Sequence, residues 1–208
     1  MRIDPAGAPF IAAALAFGLV FGVAGVWALA WPCLILGGGF LFFFRDPDRR
    51  SPSDEHIVLS PADGRVLVAG PAMADATPPG SWQQVSIFLS PLDVHVNRIP
   101  ASGRVTRVAF QRGKFLPAYR RDAATLNERC EVWIDHTGQM IVARQVVGVL
   151  ARRVVCRVTS GTEVRAGDRF GIMKFGSRMD VFIPPSATIQ VKVSDLVRGG
   201  ETIIAVLH

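Results

Sequence analysis

The sequence predicts a mostly β domain, of barrel or sandwich type, behind an N-terminal hydrophobic helical segment suited to a membrane. Three observations lead there. No charged residue falls between Ala6 and Phe44. Beyond Glu55 the chain breaks into short apolar runs divided by Gly, Pro, Asn and Asp, the pattern of strands joined by turns. Only Pro117–Asn127, "PAYRRDAATLN", has the composition of a short helix.

The N-terminal segment divides unevenly. Phe10–Val26 is an apolar stretch of about 17 residues, near the lower limit for a membrane span. Cys33–Phe44 is about 12 residues, or roughly 18 Å of helix against a hydrocarbon core of about 30 Å. Trp27, Trp31 and Pro32 lie between them, residue types suited to an interface and a bend. Residues 1–44 therefore read as a membrane anchor, a helical hairpin or a re-entrant segment. The alternative is a cleaved secretory signal with "ALA" at 28–30 as its cut site. Against it, only Arg2 supplies positive charge upstream, and the apolar run continues well past that point. Arg45, Arg49 and Arg50 follow directly, which places the next domain on the cytoplasmic side of the cell membrane. Residues 45–55, "RDPDRRSPSDE", are polar and proline-bearing and read as a linker. Residues 56–208 form the β-rich domain.

Within that domain "HIVLSPADGRVLVAG" reads as strand, turn, strand, and "EVWIDHTGQMIVARQVVG" as two strands about a Thr-Gly turn. "QQVSIFLS", "GRVTRVAFQ", "RRVVCRVTSG", "DRFGIMKFGS", "MDVFIPPS" and "TIQVKV" continue the series. Apolar and polar residues alternate plainly in Arg104–Val108 and Thr188–Val193, as in half-buried strands. The formal net charge is +6, which suits nucleic acid or anionic lipid. No run interleaves Arg or Lys with aromatics, so a nucleic-acid partner is not expected, and the membrane surface is the better reading. Cys33, Cys130 and Cys156 are widely spaced and read as buried free thiols. The four histidines show no metal-ligand spacing, so no metal is expected.

Two segments, "GTEVRAGDRFGIM" and "SDLVRGGETIIAV", share an apolar-Arg step, a Gly turn, an acidic residue and a strand. This outline resembles the hammerhead hairpins of biotinyl and lipoyl carrier domains. It implies an alternative in which Lys174 is a swinging-arm lysine on a non-enzymatic, membrane-tethered β module. Such domains are much shorter than this one and flank their lysine differently.

Three motifs carry chemistry: "SPADGRV" around Asp63, "SPLDVHVNRIP" around His95, and "KFGSRMD" around Ser177. Taken singly they read as an Asp-Gly turn, a strand histidine and a Gly-Ser loop. Taken together, and in this order, they resemble the phosphatidylserine decarboxylases, in particular the shorter bacterial members, over residues 40–208. That resemblance implies self-cleavage between Gly176 and Ser177 into a large chain, 1–176, and a small chain, 177–208, that stay associated. Ser177 would become a pyruvoyl group, the covalent cofactor, and form a Schiff base with the amine of phosphatidylserine in the bilayer. Loss of carbon dioxide would then yield phosphatidylethanolamine. His95 would serve as base and proton donor, and Asp63 would fix its tautomer. Arg98, Lys174 and Arg178 are the cations expected at the head group. The longer members carry Asp-x-His-x-x-His-x-Pro, and Arg98 stands where their second histidine would be. Another serine-headed lipid, such as an archaeal-type ether lipid, is an alternative substrate. A homodimer is the expected assembly.

Overall fold

The uncharged N-terminal stretch forms two helices packed side by side. The computed structural model describes residues 2–72, 77–120, 122–149, 154–174 and 176–208, and the chain divides into two compact units, Met1–Asp48 and Arg49–His208. In the first unit, β1 (Arg2–Ile3) precedes α1 (Ala8–Val23) and α2 (Trp27–Phe43), and β2 (Arg45–Asp46) returns to pair antiparallel with β1. The reversal falls at Ala24–Val26, where Gly25 adopts φ 75°, rather than at Trp27–Pro32 as expected. Pro32 lies inside α2 instead, at the cost of one backbone hydrogen bond. The helices approach closely because Gly18 faces Leu34 and Gly37 faces Leu15, the small-residue packing common between helices in lipid. The helical run Pro5–Val23 is long and apolar enough to cross a membrane, and Trp27–Phe43 is shorter. Phe17, Leu19, Val20, Trp27, Trp31 and Ile35 are exposed, so the hairpin is apolar on its outside as well as at its seam.

The second unit is built from strands. The first stretch supplies β3 (Ile57–Leu59), β4 (Gly64–Pro71), β5 (Gln83–Leu89), β6 (Val96–Arg98) and β7 (Gly103–Gln111). The helical turn α3 (Ala123–Leu126) leads into the β8–β9 hairpin (Arg129–His136 and Gln139–Val146). Then come β10 (Val154–Cys156), β11 (Glu163–Val164), β12 (Arg169–Met173) and β13 (Ser177–Ile183). The chain ends with β14 (Thr188–Ile189), β15 (Leu196–Val197) and β16 (Ile203–Val206). An eight-stranded sheet, curled into a half-barrel, runs β11-β7-β8-β9-β13-β5-β4-β15. Two three-stranded sheets, β10-β12-β6 and β14-β16-β3, accompany it. The mostly β expectation holds, with the short helix inside the segment foreseen for it. The hammerhead likeness gains no support. "TIQVKV" is strand only at Thr188–Ile189, because Lys192–Asp195 closes a turn in which the Lys192 amide donates to Asp195 Oδ2 at 3.0 Å. Arg152 and Arg153, at the head of the expected strand "RRVVCRVTSG", lie outside the described residues.

The core follows the period of two. On β13, Met179, Val181 and Ile183 join Val85, Ile87 and Leu89 of β5 and Ile141 and Ala143 of β9 in one buried cluster. The opposite face of β13 carries Arg178, Asp180 and Phe182, and these too are buried. Charge on that face is internally paired. Arg178 Nε donates to Asp180 Oδ1 at 2.6 Å and Arg178 Nη2 to Ser86 Oγ at 3.0 Å. Arg144 Nε donates to Glu131 Oε1 at 2.9 Å, with its guanidinium over the Phe182 ring. The three cysteines are free, with Cys130 buried and Cys156 half-buried. A hydrogen bond from the Cys130 thiol, together with one to the Val158 backbone just past β10, holds the Cys156 thiol down to about 7, while that shared bond and burial push Cys130 up.

Candidate active site

Ser177 heads β13, and its placement follows from the strand's alternation. It shares the core-facing side with Met179 and Val181, so it is fully buried. Its Oγ has no hydrogen-bond partner among the described residues. An unpartnered buried hydroxyl is costly and calls for a reason. The preceding Gly176 has φ 69°, a left-handed backbone that glycine adopts without the penalty an L side chain meets. Phe175, inside the cleavage motif, lies outside the described residues.

His95 reaches the same point from the loop before β6. The turn at Ser90–Asp93 is closed twice: the Asp93 amide donates to the Ser90 carbonyl at 3.0 Å, and the Ser90 amide to Asp93 Oδ2 at 2.7 Å. From there His95, itself fully buried, places Nδ1 2.9 Å from the Asp93 carbonyl oxygen. Its Nε2 lies 3.3 Å from the Gly176 amide nitrogen, which donates to it. Together these contacts set one tautomer, with the proton on Nδ1 and a lone pair on Nε2 aimed at the Gly176–Ser177 segment.

Asp63 takes a different position from the one expected. Its Oδ2 accepts from Arg49 Nη2 at 2.7 Å and its Oδ1 from the Gly199 amide at 2.7 Å. Arg49 also bonds Glu201 at 3.0 Å. Asp63 thus ties the start of the second unit to the turn after β15, and the orienting partner of His95 Nδ1 is the Asp93 backbone. The sequence could not announce this, because a carbonyl acceptor leaves no mark in residue type. The second half of the surprise is Arg49, which falls in the stretch expected to be a linker.

The three expected cations are separated. Lys174 is half-buried just after β12. Arg98 is buried, and its Nη1 donates to the Gly167 carbonyl at 3.0 Å. Arg178 stands one residue after Ser177 and so points through the sheet to the opposite face. There it is held by Asp180 and Ser86. Its expected place at the head group is not the one it occupies.

An apolar cavity of about 150 Å³ opens on Gly176, lined also by Phe88, Pro91, Pro117, Ala118, Tyr119 and Val149. The Tyr119 ring meets Phe88 edge-on at 6.0 Å. Among the described residues no group of three or more His, Cys, Asp or Glu side chains is gathered to hold a metal ion.

A strand-heading serine, a left-handed glycine before it and a histidine nitrogen on that glycine's amide define a serine-centred site built into the chain's own backbone. The chain belongs to the phosphatidylserine decarboxylase family, whose profile matches residues 36–205. It is 45% identical over 165 residues to the phosphatidylserine decarboxylase proenzyme of Pelodictyon phaeoclathratiforme, covering 79% of this chain and 77% of that one. Against the proenzyme of the same name from Prosthecochloris aestuarii the identity is 44%, with 79% and 76% covered. The match to the Gluconacetobacter diazotrophicus proenzyme runs further, at 42% identity over 98% of this chain and 94% of that one.

Proposed function

We propose that this chain is a proenzyme that splits itself between Gly176 and Ser177 and then converts phosphatidylserine to phosphatidylethanolamine and carbon dioxide, a step of phospholipid biosynthesis. The observation that carries the reading is the buried Ser177 Oγ, without a partner among the described residues, beside a left-handed Gly176 whose amide rests on His95 Nε2.

The first step is an acyl shift. Ser177 Oγ bonds to the Gly176 carbonyl carbon, the bond from that carbon to the Ser177 nitrogen breaks, and the hydroxyl proton passes to the nitrogen. His95 Nε2 holds that proton in transit, the role of a base beside a weak nucleophile. Removal of the Ser177 α-proton then breaks the Cβ–Oγ bond and releases Gly176 as a carboxylate. Water replaces the nitrogen, which leaves as ammonia.

The resulting pyruvoyl group at residue 177 supplies a ketone for the substrate amine and a sink for electrons. The site fits such a group: the head of β13 is buried, and a small neutral ketone leaves no orphaned hydroxyl there. His95 Nε2, beside the cavity that opens on Gly176, carries a proton to the substrate's α-carbon after carbon dioxide departs. The apolar walls at Phe88, Pro117 and Val149 suit the glycerol and acyl part of a diacyl lipid. Lys174, two residues before Gly176, is assigned to its anionic head group, while Arg98 stays with the Gly167 carbonyl. Asp63 acts at one remove, by fixing the Arg49 and Gly199 contacts. The N-terminal hairpin anchors the enzyme in the cell membrane with the catalytic unit on the cytoplasmic side.

Intact-mass analysis of the wild type beside Ser177→Ala tests the reading. The wild type is expected as residues 1–176 and a blocked fragment 177–208, and the variant as one chain. A wild type that stays whole in lipid would remove the decarboxylase reading. Turnover on ester against ether serine lipids then decides the substrate.

A further inference from the structure

We propose that Gly148 is a positioning residue for the self-cleavage: it is the seat on which the scissile carbonyl of Gly176 rests. The inference builds on the self-cleavage reading. β13 pairs with β9 with Arg178 opposite Val146, and continuing that register two residues past the last pair sets Gly148 opposite Gly176. The ladder does not continue there. The Gly176 carbonyl oxygen occupies the space a side chain at 148 would need: a Cβ on Gly148 would lie 2.1 Å from that oxygen and 3.1 Å from its carbon. The nearest side-chain atom, Ala118 Cβ, would be 3.5 Å away. The feature that excludes a side chain at 148 is therefore the bond to be cut.

The seat is also held from behind. The Val147 amide donates to the Glu128 carbonyl at 3.1 Å, and the Val147 carbonyl accepts from Asn127 Nδ2 at 2.8 Å. Asn127 is fully buried, and its amide group is otherwise spent on the backbone of Leu116, donating at 2.8 Å and accepting at 2.9 Å. The same side chain thus fixes Gly148 and the Pro117–Ala118 wall of the cavity. With Val147 tied at both its amide and its carbonyl, a methyl at 148 forces the glycine at 176 to give way. Relieving the contact needs a shift of roughly 1 Å, the scale on which a misplaced reacting group costs about a hundredfold in rate.

The test is a pulse-chase of the full chain translated into lipid nanodiscs, following release of residues 177–208. Gly148→Ala is expected to mature about a hundredfold more slowly than wild type. Added hydroxylamine, which cuts the ester formed by the acyl shift, should not restore the split, because the defect lies before the ester. Gly103→Ala is the control: a Cβ there meets the Asp135 carbonyl oxygen at 2.2 Å on another strand pair, and the φ of 150° at Gly103 adds backbone strain, so the insult is no smaller, yet its maturation should match wild type. Gly148→Ala maturing at the wild-type rate, both variants slowing equally, or hydroxylamine cutting Gly148→Ala as fast as wild type would each overturn the proposal. Should Gly148→Ala not fold, Asn127→Ala slackens the same seat without adding bulk; slowed maturation supports the proposal, and an unchanged rate sinks it. A wild type that never splits would instead fell the underlying reading, an outcome distinct from a wild type that splits alongside an unaffected variant.

Discussion

Arg178 shows how one position in a strand decides a residue's work. Next to Ser177 in sequence, it is separated from that side chain by the thickness of the sheet. Its guanidinium answers the Asp180 carboxylate inside the protein, where Asp180 Oδ2 has no further partner among the described residues. Removing the cation alone leaves a buried carboxylate, so Arg178→Met should cost about 3–5 kcal/mol. Urea unfolding in a Ser177→Ala background, where the chain stays in one piece, measures that loss. The neighbouring residues divide by legibility in a similar way. Gly176, Ser177 and His95 were readable as a motif, because their chemistry depends on residue type. The Asp93 carbonyl that orients His95 and the Gly148 seat were not, because the first is backbone and the second depends on a register between strands far apart in the chain.

At the scale of elements, β13 explains most of what the sequence concealed. Its run "SRMDVFI" is buried on both faces, so alternation between apolar and polar residues does not mark it as it marks β7. Arg178 and Asp180 look like solvent-facing residues and are covered instead. The order of strands was not readable, since pairing of β13 with β5 and β9 joins segments distant in sequence. That order matters for maturation. β13 pairs along its length with β5, from Ser177 with Leu89 to Ile183 with Gln83, and with β9 from Arg178 with Val146 to Phe182 with Val142. β15 pairs with β4 and β16 with β3. After the proposed split, residues 177–208 would therefore remain laced into the larger chain by four ladders. The two pieces should co-elute in native size-exclusion chromatography. Their unfolding midpoint should rise with protein concentration, as for any association-linked fold, whereas that of Ser177→Ala should not. Separation in native buffer would contradict the topology.

The molecule as a whole divides its tasks between two compact units at Asp48 and Arg49. The division is legible in charge: an uncharged stretch, then a cluster of arginines. The sequence did not reveal that Arg49 is already committed to the second unit through Asp63 and Glu201. A chain starting at Arg49 keeps those bonds, the core cluster and every residue of the serine site. It should mature at the wild-type rate yet fail to float with phosphatidylserine vesicles in a density gradient. Loss of maturation in that fragment would mean that the hairpin shapes the site as well as locating it.

The full burial of Ser177 bears on how the chain disposes of nitrogen. Ordinary hydrolysis at this bond would create an α-ammonium at the buried head of a strand flanked by β5 and β9, beside the Gly176 carboxylate released with it. Enclosing that pair of charges costs several kcal/mol, enough to push the strand out of the sheet or to favour re-forming the bond. Expelling the nitrogen as ammonia leaves a neutral terminus that the site can keep enclosed. In the proposed cleavage, burial would thus make the cut a one-way event, with the depth of the serine as the ratchet.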